Sequence, residues 1–329
     1  MRKAASRAFI KRIQNFAHQE SLFRRGDGLL LAVSGGADSL CLLDVMAYLS
    51  KKYAFTLHAA HVNYGLRGKD SDADEALVRE ECARQNILLH VLHPRITGKS
   101  NLEERLRDIR YRFFEQVRGK YALDSIVIAH HQDDQAETFL MRLLRGSGLS
   151  GLSSMEPRSE TLVRPFLETS RADILAYMKR EALPYREDAT NLSPDFLRNR
   201  IRNKLLPLLA EEYQPNIRIL LAKTARSLAS EKHLLRSLLP ELKTLTKTAS
   251  GAGFSRQEFL ALPPEARRQT LRSLLAFWLP TPPSRNLLQE LEKSLKSGKN
   301  KPQTVRFRGL ILERKGDKVR LLKSDSSTL

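Results

Sequence analysis

Ser34-Gly35-Gly36-Ala37-Asp38-Ser39 separates two apolar stretches with residues suited to holding an anion. Two glycines allow positive φ and let a phosphate come close to the backbone. Ser34 and Ser39 add hydroxyl donors, and a helix opening near residue 38 would aim its unpaired N–H groups at the same point. Asp38 is unexpected in an anion site because its charge repels phosphate. Its expected contact is therefore a divalent cation, Mg²⁺ for choice, that the phosphates also bind. No lysine follows the glycines, which excludes the GxxxxGK[ST] loop. The plain alternative is a tight strand-to-helix turn in which serine and aspartate are caps.

A second polar group is His130-His131-Gln132-Asp133-Asp134-Gln135-Ala136-Glu137-Thr138. On a helix Glu137 falls on one face with Asp133 and Asp134. These acids suit Mg²⁺ and a cationic substrate, and a histidine beside them suits a phosphate or a leaving group. Acids in a first turn also complement a helix dipole without further purpose. His61 to Gly68 forms a third loop, in which Arg67 offers a planar fork to phosphate. Arg107 and Arg110 share a helix face next to Tyr111. In NLSPDFLRNRIRNKLLPLL, residues 191–209, Arg198, Arg200, Arg202 and Lys204 are expected on a helix whose other side, Phe196, Leu197, Ile201 and Leu205, packs.

Strands and helices must bring these groups together. Leu29–Val33, Phe55–Val62, Ile87–Leu92 and Ser125–Ala129 read as buried strands. Helical spacing occupies about 38–52, 71–86, 101–118 and 132–145. This order predicts an α/β fold with a doubly wound, mostly parallel sheet, whose ligands sit at the carboxyl ends of the strands. The glycine loop, the His61 loop and the His130 group all fall there. Thr161–Phe166 reads as one more short strand and Arg171–Arg180 as a helix. Asp188–Asn191 reads as a turn, Asp195–Leu209 as a basic helix and 216–239 as a long helix. Thr248–Gly253 reads as a loop. Helical patterns at 256–262, 264–279 and 284–297 precede a small β-hairpin, Thr304–Leu312 with Lys318–Lys323. The expected division is an N-terminal helix to residue 25, a catalytic domain 26–212, a mainly helical, basic domain 213–323, and a tail 324–329. The boundary is placed near 210–215.

The chain of 329 residues has a net charge of +19, unevenly spread. Residues 1–170 hold 25 Lys and Arg against 21 Asp and Glu, whereas residues 171–329 hold 31 against 16. Such a half points to a polyanionic partner. No apolar run approaches a membrane span, so none is expected. Cys41 and Cys82 form no CxxC, which suits reduced thiols and a cytoplasmic protein. The basic, amphipathic MRKAASRAFIKRIQNF lacks the apolar centre of a secretory signal and is expected to dock as a helix rather than serve as a transit peptide. Gly98-Lys99-Ser100 imitates the end of a Walker loop, but His93 stands where its first glycine belongs. The sequence is silent on oligomeric state, and a homodimer stays open.

SGGADS closely resembles the pyrophosphate-binding loop of N-type ATP pyrophosphatases, which are Rossmann-like. Together with HVNYGLRG (61–68), RLRDIRYRFF (105–114), HHQDDQAETFLMRLLRGSG (130–148) and DATNLSPDFLRNRIRNKLLPLL (188–209), it resembles the tRNA(Ile)-lysidine synthetases. The pieces occur in the family's order over the first 210 residues. One departure is Leu106, where the family usually carries alanine. The resemblance implies that O2 of the wobble cytidine of a tRNA(Ile) with a CAU anticodon attacks the α-phosphate of ATP. Free L-lysine then displaces AMP at C2. It also implies ATP on Ser34, Gly35, Gly36, Ala37, Asp38 and Ser39, with His61 and Asn63. Asp38 and Glu137 would contact metal, and Asp134 and Glu137 would hold lysine. His130, Arg107 and Arg110 would stabilise the phosphoryl group or AMP, and Arg202 would reach either the active site or the tRNA. Two other readings compete. One is a tRNA thiolase of the same superfamily, which would need a reactive cysteine or a cysteine-bound cluster. The other is a non-catalytic RNA-binding protein on the same fold.

Overall fold

Leu29, Leu30 and Leu31 are 0% exposed, yet successive side chains enter different cores. Leu29 and Leu31 pack in one cluster with Phe9, Leu42 and Tyr177, while Leu30 packs in another with Phe114, Val117 and Ile126. That alternation is the period-two geometry of a strand covered on both faces. The computed structural model describes residues 2–96, 102–186, 197–238, 240–248, 250–279, 283–298 and 302–324. The Asp188–Asn191 turn, the start of the basic helix at 195–196, the Gly98–Ser100 segment and residues 325–329 of the tail lie outside the described residues.

The chain divides into two units, residues 1–232 and 233–329. The first runs α1 (Ala4–Gln19), β1 (Gly28–Ala32), α2 (Ala37–Tyr53), β2 (Thr56–Val62), α3 (Lys69–Arg84), β3 (Leu88–Leu92), α4 (Leu102–Lys120), β4 (Ser125–Val127) and α5 (Gln132–Leu144). It continues with α6 (Leu149–Leu152), β5 (Arg158–Ser159), β6 (Leu162–Val163), α7 (Arg171–Arg180), α8 (Leu197–Arg200), a π-helical turn Ile201–Leu205, α9 (Leu206–Glu212) and α10 (Ile217–Leu238). The sheet order is β3-β2-β1-β4-β6-β5, with every pairing parallel except β5 on β6. From β1 the chain winds outward through β2 and β3, then returns to the other side of β1 for β4. The crevice at that reversal lies between the loops that follow β1 and β4, which is where open α/β sheets bind ligands. The doubly wound expectation therefore holds, down to the short strand within 161–166.

The basic N-terminal segment is indeed a docked helix, because Phe9, Ile10, Ile13 and Phe16 of α1 recur at helical spacing and are buried. Arg2, just before it, pairs bidentately with the buried Asp44 of α2 at 2.7 and 2.9 Å. The division falls at 232/233, inside α10, rather than near 210–215. The first turns of α10 belong to the first unit because Ile217 and Leu221 pack on Ala136, Ile201 and Leu206, and Ala225 is fully buried.

The second unit contains β7 (Thr246–Lys247), β8 (Gly251–Ser255), α11 (Arg256–Ala261), α12 (Pro264–Ala276), α13 (Arg285–Lys296), β9 (Gln303–Phe307), β10 (Leu310–Lys315) and β11 (Lys318–Lys323). Its helices stand where expected, but the hairpin is only part of a five-stranded antiparallel sheet, β7-β8-β11-β10-β9. Two features hid the other strands. Residues 304–312 are two strands divided at Arg308 and Gly309, both at positive φ. The supposed loop 248–253 contains the glycine-rich start of β8, where a side chain at Gly251 would strike the Leu321 carbonyl. Phe254, Leu312, Val319 and Leu321 pack there with Leu288, Leu291 and Leu295 of the amphipathic α13. No helix among the described residues is long and apolar enough to cross a membrane.

Candidate functional site

The turn from β1 into α2 is closed by its own hydroxyls. Ser39 Oγ accepts the Ser34 N–H at 3.1 Å and donates to the Gly36 carbonyl at 3.0 Å, with Ser34 Oγ 3.1 Å away. Gly35 has φ +93°, a conformation that calls for glycine, and a Cβ there would meet that of Asp74 at 3.4 Å, an ordinary contact. With the turn so fixed, the first N–H groups of α2, which have no intrahelical partner, face outward. Asp38 lies in that first turn. Its Oδ2 accepts from Arg171 Nη1 at 2.6 Å, while Oδ1 is buried without a partner among the described residues.

Across the crevice, His131 caps α5 and Asp134 returns the bond, its Oδ2 accepting the His131 N–H at 3.0 Å. Burial disfavours charge on His131, but the carboxylates of Asp134, Asp38 and Asp133 outweigh it and raise its pKa. Asp134 is buried as well. The cations His131, Arg198 and His130, together with that N–H, overcome its desolvation and hold its carboxyl well below the usual range. His130 behaves in the opposite way. Burial pushes its pKa down to about 4; Asp134 opposes this and Arg164, Arg198 and Arg110 assist. Arg164 Nε donates to His130 Nδ1 at 3.4 Å, so the neutral ring carries its proton on Nε2.

Glu137 is fully buried. Arg198 Nε donates to its Oε2 at 2.7 Å, and Arg202 reaches both oxygens, through Nε at 2.5 Å and Nη2 at 2.9 Å. Arg198 Nη2 also donates to Asp134 Oδ1 at 2.8 Å. This alters the reading of the basic helix. Arg200 and Lys204 are exposed, but Arg198 and Arg202 turn inward onto the acids, presented by α8 and the π-helical turn. π turns gather at functional sites because they re-aim side chains.

Ser34, Gly36, Ala37, Asp38, His61, Asn63, Arg110, Glu137 and Arg202 line a cleft of about 1070 Å³ in the first unit. Gly35, Ser39, His130, Asp134 and Arg107 do not line it. Gly35 and His130 lie in the two loops that shape it and Ser39 and Asp134 in the first turns of α2 and α5, whereas Arg107 rests on α4, its guanidinium 5.5 Å from the Tyr111 ring centroid. His61 and Asn63 are mainly structural: His61 Nδ1 bonds the Val33 carbonyl at 2.8 Å, and Asn63 donates to Asp72 and Glu75. Reasoning from sequence missed Arg171, Arg186 and Arg218, which also line the cleft and meet Asp38, Asp74 and Asp133. No local signal marks them, because each partner lies at least 80 residues away.

A metal fits this site only in part. Asp38 Oδ1 is a buried, unpartnered carboxylate oxygen, as a cation ligand would be, but both oxygens of Glu137 already hold guanidiniums. Among the described residues no three His, Cys, Asp or Glu side chains are grouped to hold an ion. Mg²⁺ needs no such cage when phosphates supply the remaining oxygens. The cysteines offer no chemistry. Burial raises Cys41 well above the ordinary thiol value and Cys82 to about 12, so neither is a reactive thiolate.

A PP-loop domain model matches residues 5–209. The tRNA(Ile)-lysidine synthase of Bacteroides thetaiotaomicron is 35% identical over 246 residues, 73% of this chain and 57% of that protein. That of Geobacter sulfurreducens is 38% identical over 274 residues, 80% of this chain and 58% of that protein. The chain thus spans little more than half the length of these relatives. Among solved structures, the U34-tRNA thiolase NcsA of Methanococcus maripaludis, with its 4Fe-4S cluster, aligns with a TM-score of 0.56 at 18% identity. That alignment covers 73% of this chain and 83% of that one, a likeness of fold.

Proposed function

This chain belongs to the PP-loop domain family, and on that premise we propose that it acts as a tRNA(Ile)-lysidine synthetase. It would use ATP to adenylate O2 of the wobble cytidine, at position 34 of a tRNA(Ile) with a CAU anticodon, releasing pyrophosphate. The ε-amine of free lysine would then bond to C2 as the C2–O2 bond breaks and AMP leaves. A cytoplasmic location goes with this reading.

The observation that carries it is the pairing of two unlike sites across one crevice. On one side is an anion cradle around Gly35, with the open oxygen of Asp38. On the other is a buried acid pair, Asp134 and Glu137, whose oxygens hold two guanidiniums. The acid pair is by construction a cation receptor, and a lysine ammonium would share or replace the contacts of Arg198 and Arg202. The cradle's N–H groups would bind the β- and γ-phosphates. Mg²⁺, held by Asp38 Oδ1, would neutralise charge on the departing pyrophosphate; Glu137 would join it only once its guanidiniums move. The neutral His130 has an Nε2 proton to offer and Arg110 stands in the cleft wall, so both would suit the α-phosphate and later AMP. Arg202 serves the active site through Glu137. The target base must leave its stack to enter, as base-modifying enzymes require.

The test combines ATP, labelled lysine and tRNA(Ile) bearing CAU. Label should enter the tRNA with one AMP and one pyrophosphate released per lysine. ATP binding without incorporation of label would overturn the reading.

A further inference from the structure

Arg171 is the first residue of α7 and touches both sides of the crevice. Its backbone N–H donates to Asp133 Oδ2 at 2.9 Å, in the first turn of α5. Its side chain crosses to the first turn of α2, where Nη1 donates to Asp38 Oδ2 at 2.6 Å. The two ends differ in freedom. The backbone is fixed, because Ser170 Oγ caps α7 by accepting the Asp173 N–H at 3.1 Å, and the Thr169 carbonyl accepts the Gln132 N–H at 2.9 Å. The guanidinium is not fixed in this way: the side chain is 37% exposed and stands in the cleft wall.

The carboxylate it holds is only half engaged. Asp38 Oδ1 is buried and unpartnered among the described residues, which is costly for a charged oxygen unless a cation comes to it. His131 Nε2, 3.7 Å from Oδ2, cannot come closer, since its ring is 2% exposed and caps α5. A bare divalent cation at Oδ1 would face the guanidinium across the single charge of Asp38. Asp133 offers no relief, because its oxygens are taken by the Arg171 N–H and by Arg218 at 3.5 Å. Nucleotide changes the balance. Phosphates in the cradle around Gly35 bring oxygens for the metal and acceptors for a guanidinium. We propose that Arg171 keeps bare divalent cations off Asp38 in the empty site and moves to the phosphates when metal and ATP enter together. The metal is thus admitted only with its nucleotide, and Arg171 becomes a further positive contact on the triphosphate. This rests on the ATP and Mg²⁺ sites proposed above.

Placement favours Arg171 for this exchange. Arg186 and Arg218 pair with Asp74 and Asp133, and Arg198 and Arg202 with the acid pair, so their movement uncovers other acids. A guanidinium can leave a carboxylate for a phosphate and keep its geometry, since both accept its planar fork. The swing leaves the N–H bond to Asp133 intact, so the two sides of the crevice stay joined while the charge between them is exchanged.

The experiment follows Mn²⁺, a paramagnetic substitute for Mg²⁺, by electron paramagnetic resonance with the full chain. Without nucleotide the unaltered protein should leave Mn²⁺ free, whereas Arg171→Gln should bind it about tenfold more tightly or better. Adding Asp38→Asn to Arg171→Gln should remove that binding, which places it on Asp38. Arg171→Lys keeps the charge and should still exclude the bare ion. With ATP present, both the unaltered protein and Arg171→Gln should hold Mn²⁺. The ATP affinity of Arg171→Gln, measured by calorimetry, should nevertheless fall roughly tenfold through loss of a charge-assisted contact. Bare Mn²⁺ bound by the unaltered protein and lost in Asp38→Asn would overturn the proposal, and that comparison needs no change at Arg171. So would an Arg171→Gln protein that excludes the bare ion, or one that binds ATP as tightly as the unaltered protein. If the unaltered protein binds no ATP, or if Asp38→Asn binds Mn²⁺ and ATP as well as the unaltered protein does, the proposed nucleotide and metal sites themselves fail. Binding that depends on Asp38 but not on Arg171 removes only the role given to Arg171.

Discussion

Acidification should find His130 before it finds the carboxylates. In the folded protein His130 titrates at about 4, against 6.5 for an ordinary histidine. A depressed folded value means that the unfolded chain takes up the proton first. The stability His130 contributes is therefore complete above 6.5 and is lost as pH falls from there to about 4. At about 1.4 kcal/mol per pH unit, that interval corresponds to a loss of ~3 kcal/mol at most. Its neighbours act in other windows. His131 has a raised pKa, so its contribution is present below 6.5 and lost as pH rises through its folded value. Asp134 is held low, so it weakens the fold only below the ordinary carboxylate value of 3.8. His58, His61 and His90 are also depressed by burial and share the window of His130, so the decisive comparison is with His130→Gln, in which an amide oxygen can still accept from Arg164. Urea melts at pH 7, 6, 5 and 4.5 should show the unaltered protein losing up to ~3 kcal/mol more than the variant over this range. Parallel curves for the two proteins would refute the account, as would a ring titration, followed by NMR, with its midpoint near 6.5.

Other perturbations give separate readings of the same crevice. Gly35→Ala forces a side chain into φ +93° beside Asp74; the strain, about 1–2 kcal/mol, should lower the melting temperature and weaken ATP binding at least tenfold, as calorimetry would show. Glu137→Gln removes the charge shared by Arg198 and Arg202. Because those guanidiniums are partly exposed, the cost should be on the order of 2 kcal/mol in urea melts, below the range for fully buried pairs, and KM for lysine should rise more than KM for ATP. Removing Mg²⁺ with a chelator should abolish release of pyrophosphate while stem-loop RNA still binds in anisotropy. A thiol reagent should leave Cys41 and Cys82 unmodified until the protein is denatured, and Cys82→Ala should retain activity.

The sequence made the strand-loop-helix units legible because each is specified within about ten residues. The Leu29–Val33 run, the glycine turn and the spacing of Leu40 and Leu43 are local signals, and they placed Ser34–Ser39 and His130–Glu137 at one end of one sheet. What it could not reveal was which cation each acid would hold. Arg198 looks like a member of a solvated basic face, and only the packing of Ile201 and Leu206 against Ala136 and Leu140 turns it onto Glu137. Arg171 looks like the first residue of an ordinary helix, yet its neighbour in space is Asp38. The five-stranded sheet escaped notice for a similar reason. Gly251 and Gly253 lack the branched side chains that mark strands, and their pairing is with Leu322 and Arg320 of β11, far along the chain.

The π-helical turn at Ile201–Leu205 makes the crevice sensitive to chain length as well as to side-chain identity. Arg198 precedes the widened turn and Arg202 lies within it, and both reach one carboxylate. Deleting Ile201, the turn's first residue, would let a regular helix form there and move Arg202 by one position, about 100° around the axis. The helix after the turn would keep nearly the same face, because a π turn holds one residue more than an α turn. Composition, charge and apolar content would hardly alter, yet the second guanidinium would swing away from Glu137. An indel scan across these five positions would therefore separate two proteins that conventional point substitutions treat as one.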